Sequence, residues 1–512
     1  MNLRALLFSI LIIGVTFFLT SCMVGPNFHS PRAPHVCRYT ESPTPTKTVS
    51  IEGAGKAGKS QHFIAGETLP SAWWHLFHSP EINALICQGL ANSPNLAAAK
   101  AALVQAEENY IAQVGTLYPS LTANGQLERQ RFSAAEFGGS GAGAISSIFN
   151  LINANVGVTY TLDIFGGLRR QIEATGAQVC FEKYELDAAF LTLSSNIVTT
   201  SITIASLRAQ IAATEELIQA QEKTLNIVKK QFNLGGASKA DVLTQETQLG
   251  QLRATLPPLQ QSLVQNQHSM SILIGQFPCE DAIPKLNLDK LNLPTNLPIG
   301  VPSRLVKQRP DIQAAEALLH AASAQIGVAT ANLYPQITVT GAYGWINTSV
   351  GGLFEPDNKV WNIAAAIAQP IFNGGMLEAK KRAAVAAYQQ AAAQYQQTVL
   401  QAFQNVADTL RALQHDAELL KAQKNAENSA HRSLILTQAQ FRLGGVNYLN
   451  LLTAERSYQQ ARIARIQAQA SRYTDTAALF QALGGGWWRR PALNCDPQLN
   501  KNLERYRPEC FG

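Results

Sequence analysis

Apolar and polar residues alternate strictly at two places in each half of the chain. Leu121, Ala123, Gly125 and Leu127 share one face, with Thr122, Asn124, Gln126 and Glu128 on the other. Farther on, Ala154, Val156, Val158, Tyr160, Leu162 and Ile164 oppose Asn153, Asn155, Thr159, Thr161 and Asp163. The second half repeats the arrangement: Ile337, Val339, Tyr343 and Trp345 alternate with Gln336, Thr338 and Thr340, and Trp361, Ile363, Ala365 and Ile367 follow. Period-two runs of about ten residues, apolar outward and polar inward, are what transmembrane barrel strands require. A soluble sandwich with one solvated face gives the same alternation. The stretches Arg131 to Leu151 and Asn347 to Lys359 are long enough to be external loops.

After each strand pair the period changes. Leu186, Phe190, Leu193, Ile197, Ile204, Leu207, Ile211, Ile218, Leu225, Val228 and Phe232 recur at a mean spacing near 3.5, that of supercoiled helices. Ala384, Tyr388, Ala391, Tyr395, Val399, Ala402, Val406, Leu410 and Leu413 do the same. Proline is absent from Leu168 to Phe232, so an unbroken helix there is about 97 Å long. Met376 to Arg442 gives about 100 Å. Gly235-Gly236 and Gly444-Gly445 are C-terminal stops, after which return helices run from Asp241 to Leu273 and from Tyr448 to Leu483. Leu256-Pro257-Pro258 must kink or break the first return helix.

These landmarks occur twice in one order. Leu117-Tyr118-Pro119 returns as Leu333-Tyr334-Pro335, Ile164-Phe165-Gly166-Gly167 as Ile371-Phe372-Asn373-Gly374-Gly375, and Gln231-Phe232-Asn233-Leu234-Gly235-Gly236 as Gln440-Phe441-Arg442-Leu443-Gly444-Gly445. Leu273-Ile274-Gly275 and Leu483-Gly484-Gly485 close each copy, and a Pro-rich stretch from Pro278 to Pro302 joins them. The 512 residues, too many for one ordinary core, therefore read as an internal duplication. Four strands cannot close a membrane barrel, whose smallest form has eight, so the protomer must pool strands with copies of itself. A barrel continued by a helical cylinder is suited to conduction.

Composition narrows the class. Charged residues are 15% of the chain and Lys plus Arg exceed Asp plus Glu by 41 to 35, too thin an excess for a nucleic-acid stripe. A mean hydropathy near zero excludes a bundle of membrane-spanning helices but not a barrel. Arg4 precedes the apolar run Ala5 to Leu19, which has the length of a secretory core and is too short to span a bilayer comfortably. The run ends in Leu19-Thr20-Ser21-Cys22, which resembles a bacterial lipobox with Cys22 as the lipid attachment residue. Met23, not Asp, follows, and the lipoprotein rule then sends the anchor to the outer membrane. Residues 23–69, rich in Pro, Gly, Ser and Thr, read as an extended lead.

Several features look chemical without supporting chemistry. Gly53 to Ser60 fits GxxxxGK[ST], but no buried strand precedes it and no helical period follows, so it reads as a flexible linker. His75 and His78 have metal-ligand spacing, yet within Trp73-Trp74-His75-Leu76-Phe77 they read as packing around a helix start. Cys37, Cys87, Cys180, Cys279, Cys495 and Cys510 show no CxxC spacing, so no metal or other cofactor is expected. Some pair in an oxidising compartment, with Cys495 and Cys510 the most plausible local disulfide. There is no HExxH or GxSxG, and an enzyme is not expected.

From Cys22 to Trp487 the chain resembles the TolC-like outer membrane factors, specifically the lipoprotein branch serving tripartite efflux systems of the resistance-nodulation-division (RND) type. The resemblance rests on Gly25-Pro26-Asn27-Phe28, Trp73-Trp74-His75-Leu76-Phe77, Ser93-Pro94-Asn95-Leu96, Tyr160 to Gly166, Pro302-Ser303-Arg304-Leu305, Gln308-Arg309-Pro310-Asp311, Gln325-Ile326-Gly327, Pro370 to Gly375 and Ala482 to Trp487. It implies a mixed α/β membrane protein, a homotrimer with a twelve-stranded outer-membrane β-barrel, four strands per protomer, and a long periplasmic α-helical barrel. The partners it implies are a periplasmic adaptor (membrane fusion) protein, an inner-membrane RND-type pump and outer-membrane lipid. The expected divisions are a signal peptide (1–21), a lipidated lead (22–69), efflux repeat 1 (70–280), a connector (281–302), efflux repeat 2 (303–487) and a tail (488–512).

The resemblance also implies an iris-like gate just after each glycine turn: Asp241 in copy one, Leu449, Asn450 and Thr453 in copy two, with Arg442 as a latch to a neighbouring helix. Relatives often carry acidic residues where this chain has Asn450 and Thr453. Asp241 alternatively only caps the return helix after Ser238. The expected function is the exit duct of an efflux pump for drugs or other small toxic compounds; the alternative is a non-conducting outer-membrane tether. The cargo is not legible, because family specificity sits mostly in the inner-membrane pump.

Overall fold

A computed structural model describes residues 23–36, 38–43, 45–67, 69–131, 148–280 and 283–487. Residues 1–21, expected to be a signal peptide, Cys22, Cys37, residues 132–147 of the expected first external loop, and residues 488–512 with Cys495 and Cys510 lie outside the described residues. In chain order the main elements are β1 (His62–Ala65), α1 (Pro80–Asn92), α2 (Pro94–Gly115), β2 (Ser120–Arg131), β3 (Ile148–Leu162), α3 (Gly167–Asn233), α4 (Lys239–Ala254), α5 (Leu256–Leu273), β4 (Asn296–Ile299), α6 (Pro302–Gln308), α7 (Pro310–Ala331), β5 (Gln336–Asn347), β6 (Lys359–Ala368), α8 (Met376–Arg442) and α9 (Tyr448–Ala482). The expected long helices are there, each of 67 residues, and the first return helix breaks at Thr255, just before the prolines. The chain divides into two compact units, and each draws on both halves of the sequence.

Among the described residues the first unit comprises 23–30, 104–131, 148–181 and 316–394 and holds an antiparallel sheet of order β2-β3-β5-β6. Its registers join apolar to apolar across every seam: Leu121 with Val158, Val156 with Tyr343, Ile337 with Ile367. One face is therefore apolar except at its loop end, where Arg129, Arg131 and Lys359 lie, and a one-residue slip at any seam would break it. In the single chain Leu121, Leu127, Trp361, Ile363 and Ile367 all remain exposed. At the end of β3, Gly166 takes φ +76°, and the Asp163 carboxylate accepts from the backbone N–H of Leu168 and of Arg169, both at 3.0 Å, starting α3.

Residues 23–30 are fastened to this unit. Val24 N–H donates to the Phe165 carbonyl at 3.1 Å. The Arg170 guanidinium, buried in α3, donates to the Val24 carbonyl (3.2 Å), Asn27 Oδ1 (2.7 Å) and Glu173 Oε2 (2.7 Å). Glu173 Oε1 lies 2.9 Å from His320 Nε2, and the His320 ring stacks on Phe28 at 4.4 Å. Ser30 donates to Glu316. Gly327 is required because a Cβ there would meet the Arg170 side chain at 2.7 Å.

The second unit comprises residues 31–103, 182–315 and 395–512. Trp73, Phe77, Tyr473 and Phe480 form a buried aromatic cluster. Residues 45–67 are built into this unit, contrary to the flexible linker expected. β1 pairs in parallel with β4, and Arg472, wholly buried, donates to the Ala57 and Lys59 carbonyls and to Thr48 Oγ1. The phosphate-loop lookalike is thus a carbonyl cage around a protein guanidinium. Beside it, burial and the neighbouring Asp475 push the Asp416 carboxyl up, against the pull of Arg472. His75 and His78 are exposed, so the packing there belongs to Trp73, Trp74 and Phe77. In this unit Cys87 is disulfide-bonded, while Cys279 is free and exposed.

Removing one partner of a buried ionic cluster typically costs about 3–5 kcal/mol. Arg170→Ala is accordingly expected to raise protease cleavage within residues 23–30 by about a hundredfold or more, with the half-exposed Arg169→Ala as control. Limited proteolysis with N-terminal sequencing reads the difference.

Candidate functional site at the paired glycine turns

Each long helix ends by the same device. Gly235 and Gly444 sit at φ +80° and +77°, where a side chain would be strained. Gly236 N–H returns to the Gln231 carbonyl at 2.8 Å, and Gly445 N–H to that of Gln440 at 2.9 Å, closing both helices with the six-to-one bond of a Schellman turn. Leu234 and Leu443, one residue before each pair, are 87% and 88% exposed. The return helices begin with side-chain caps, Ser238 for α4 and Asn447 for α9.

These caps engage residues expected at the gate. Asp241 Oδ2 accepts from Ser238 N–H (2.9 Å) and Oγ (2.7 Å), while Ser238 Oγ accepts from Asp241 N–H, a reciprocal capping box. Those bonds hold the Asp241 carboxyl below its usual range. Asn450 gives its backbone N–H to Asn447 Oδ1 at 3.1 Å, and Thr453 Oγ1 donates to the Leu449 carbonyl at 2.9 Å. Leu449, Asn450 and Thr453 project from the exposed side of α9. Arg442 ends α8 exposed, with no carboxylate in ion-pair reach among the described residues.

Beneath the exposed positions lies an apolar cluster of Leu225, Val228, Val242, Leu249, Leu434, Tyr448, Leu451, Leu452 and Ala454. Polar ties surround it. Lys229 meets Glu246 at 2.8 Å and Glu222 meets Arg253 at 2.6 Å, joining α3 to α4. Arg456 donates to Gln248 Oε1 (2.8 Å) and Gln251 Oε1 (3.0 Å), joining α9 to α4. Arg442 was the latch expected from the sequence; within the protomer Arg253 crosses from α4 to α3, and the arginine of α9 that crosses to α4 is Arg456. Its signal was only the spacing Arg456, Arg462, Arg465 along α9, which does not say what each side chain reaches.

Glu455 is a half-buried carboxyl of this region, with its Oε2 closed off from solvent. Burial pushes its carboxyl up to about 7. Glu455 Oε2, Gln221 Nε2 and Tyr448 Oη lack hydrogen-bond partners among the described residues. Burial, then the Glu455 carboxylate, also push the Tyr448 hydroxyl up. No group of three or more His, Cys, Asp or Glu residues able to hold a metal exists among the described residues.

A one-sided apolar sheet with two unpaired edges, carrying long helix pairs that end in capped, polar-tied turns, defines an outer-membrane channel subunit. The chain belongs to the outer membrane efflux protein family, whose model matches residues 85–276 and 301–485. It is 29% identical over 486 residues to the probable efflux pump outer membrane protein TtgC of Pseudomonas putida, covering 94% of this chain and 96% of that protein. It is 27% identical over 479 residues to the cation efflux system protein CusC of Escherichia coli, covering 92% and 97%. The open state of the Neisseria gonorrhoeae MtrE outer membrane channel superposes with a TM-score of 0.76 at 27% identity, covering 91% of this chain and 99% of that one. The protein is an outer-membrane efflux channel.

Two outcomes follow. Ser238→Ala removes one side of the capping box and should cost α4 about 1 kcal/mol, read as faster amide exchange over residues 239–243. A carboxyl raised by burial stabilises its surroundings below the ordinary value of 4.5 and loses that contribution as pH rises through about 7. Protease cleavage in the first turns of α9, expressed relative to Glu455→Gln at each pH, should therefore rise several-fold from about pH 5.5 to about pH 8. A constant ratio would show that the buried proton does not hold the helix.

Proposed function

We propose that this chain is the exit duct of a tripartite efflux system. Three copies pool four strands each into a twelve-stranded barrel, and the paired helices continue as a periplasmic helical tunnel. Residues 1–21 are a signal peptide, Cys22 carries lipid that anchors the assembly to the outer membrane, and 70–280 and 303–487 are two copies of one unit joined by 281–302. The protomer docks on a periplasmic adaptor, to which the exposed Leu234 and Leu443 offer apolar contacts, and through it on an inner-membrane pump of the resistance-nodulation-division type. Transport through it is passive.

One observation carries this reading: the sheet presents an apolar face and two unpaired edges, and such a sheet is stable in lipid only when closed. A non-conducting tether needs the long helices but has no use for four strands in matched register. Asp241, Arg442, Leu449, Asn450 and Thr453 line the gate, and the ties of Arg456 keep α9 against α4 when it is shut. Relatives named for cation efflux and for a probable efflux pump support a cargo of small toxic compounds.

A deletion strain lacking sibling channels should accumulate efflux dyes and toxic compounds, and restoring the gene should reverse this; no change would return the tether. In planar bilayers Arg456→Ala is expected to raise the closed-state conductance several-fold, while Asp241→Ala and Arg442→Ala should raise it if their side chains act at the gate. An unchanged conductance for Asp241→Ala would assign that residue to its helix cap alone.

A further inference from the structure

Two aromatic residues at one end of the sheet lack partners that their repeat equivalents possess. Phe165, just after β3, stacks on Tyr334, just before β5, with centroids 4.7 Å apart and planes 18° from parallel. By the repeat, Phe165 corresponds to Phe372 after β6, and Tyr334 to Tyr118 before β2. On the tyrosine side the local backbone is the same in both copies: Tyr118 N–H bonds to the Gly115 carbonyl at 3.1 Å and Tyr334 N–H to that of Ala331 at 3.0 Å. Yet Phe372 is 90% exposed and Tyr118 69% exposed, and they flank β6 and β2, the two edges of the sheet. The inner seam, β3 against β5, has its aromatic pair; the outer edges each carry half of one.

We propose that Phe372 stacks on the Tyr118 of a second copy of this chain, and that this contact sets the register in which β6 joins the second copy's β2. The inference rests on the channel reading above and adds the contact and the register. Within the protomer Leu162 pairs with Ile337, Tyr160 with Val339 and Val156 with Tyr343. Carried through the repeat, these become Gln369 with Leu121, Ile367 with Ala123 and Ile363 with Leu127 of the second copy. Two checks that did not enter the construction support it. All residues of β6, Lys359–Ala368, find partners inside β2, Ser120–Arg131, opposite positions 131 to 122. The exposed apolar residues Ile363, Ala365 and Ile367 meet Leu127, Gly125 and Ala123, so the apolar face continues across the seam, which a one-residue slip would forbid.

The test uses the full chain in outer membranes. Cysteine pairs are introduced in register, Ala365→Cys with Gly125→Cys and Ala366→Cys with Asn124→Cys, and slipped by two, Ala365→Cys with Ala123→Cys or with Leu127→Cys. All are treated with a short thiol-bridging reagent against the parent chain. The in-register pairs should give bridged oligomers about tenfold above both slipped pairs and the parent, as expected where one face fixes register. Bridging that favours a slipped pair overturns the register. Phe372→Ala should speed dissociation of the assembly in mild detergent by roughly two- to tenfold, the effect of losing one aromatic pair, with Phe372→Trp restoring it. Unchanged dissociation in Phe372→Ala overturns the stack. Chemical cross-linking of the wild-type chain separates the two levels: a wild-type monomer sinks the channel reading and this proposal together, whereas an oligomer with another pairing sinks this proposal alone.

Discussion

Hydrocarbon offers no hydrogen-bond partner, so every backbone N–H and C=O that enters it must be satisfied within the protein. That constraint governs the four-stranded sheet. Its three inner seams are in matched register, and its apolar face is continuous, but β2 and β6 each present a row of unpaired groups. In water, such edges are sites of unwanted association, and proteins blunt them with charge, proline or bulges. Here β6 reads Lys359-Val-Trp-Asn-Ile-Ala-Ala-Ala-Ile-Ala368, with one charge at its end and no proline. An edge left so apolar is built to be paired.

The recurrence of the same sequence landmarks in the two halves of the chain answers to the same constraint. A hairpin satisfies its inner edge only against a neighbouring strand, and β5 of the second half supplies that neighbour to β3 inside the chain. The glycine turns that end α3 and α8 and the capped return helices occur in both halves of the chain, whereas the aromatic pair at the β3–β5 seam returns only as its separate halves, Tyr118 and Phe372. The copies differ where the lead intervenes: Met23 and Val24 pack on the junction after β3, whereas nothing lies within 4 Å of a Cβ at Gly374 or Gly375 after β6.

Strands and long helices were legible in the sequence because their periods are local and undisturbed. The alternation around Leu121 and Val156 and the 3.5 spacing from Leu186 to Phe232 lie inside single elements, and the glycine pairs punctuate them. The lead was not legible. Its Pro, Gly and Ser content reads as a linker, and what orders residues 45–60 is Arg472, more than 400 positions away, together with β4. At the turns, the caps on Asp241 and Asn450 were foreseeable from Ser238 and Asn447, but not the bonds of Arg456 to Gln248 and Gln251. Arg442 and Arg456 look alike in sequence, and only the packing of α9 beside α4 distinguishes them.

The ties around the glycine turns differ in kind from the clamp on residues 23–30. Arg170 is buried and its donors reach carbonyls, an amide and a carboxylate, so loss of any one leaves a desolvated partner. The pairs Lys229–Glu246 and Arg253–Glu222 are about half exposed, where an ion pair contributes about 0–1 kcal/mol. Glu455 carries a carboxyl under the apolar cluster without a full set of partners, a local cost retained in the middle of the helix packing. Regions that must move are drawn from the low-stability end of a structure. Weak surface pairs, amide acceptors in place of carboxylates for Arg456, and an incompletely satisfied acid hold the four helices at the turns less firmly than Arg170 holds residues 23–30, which is what the proposed gate requires.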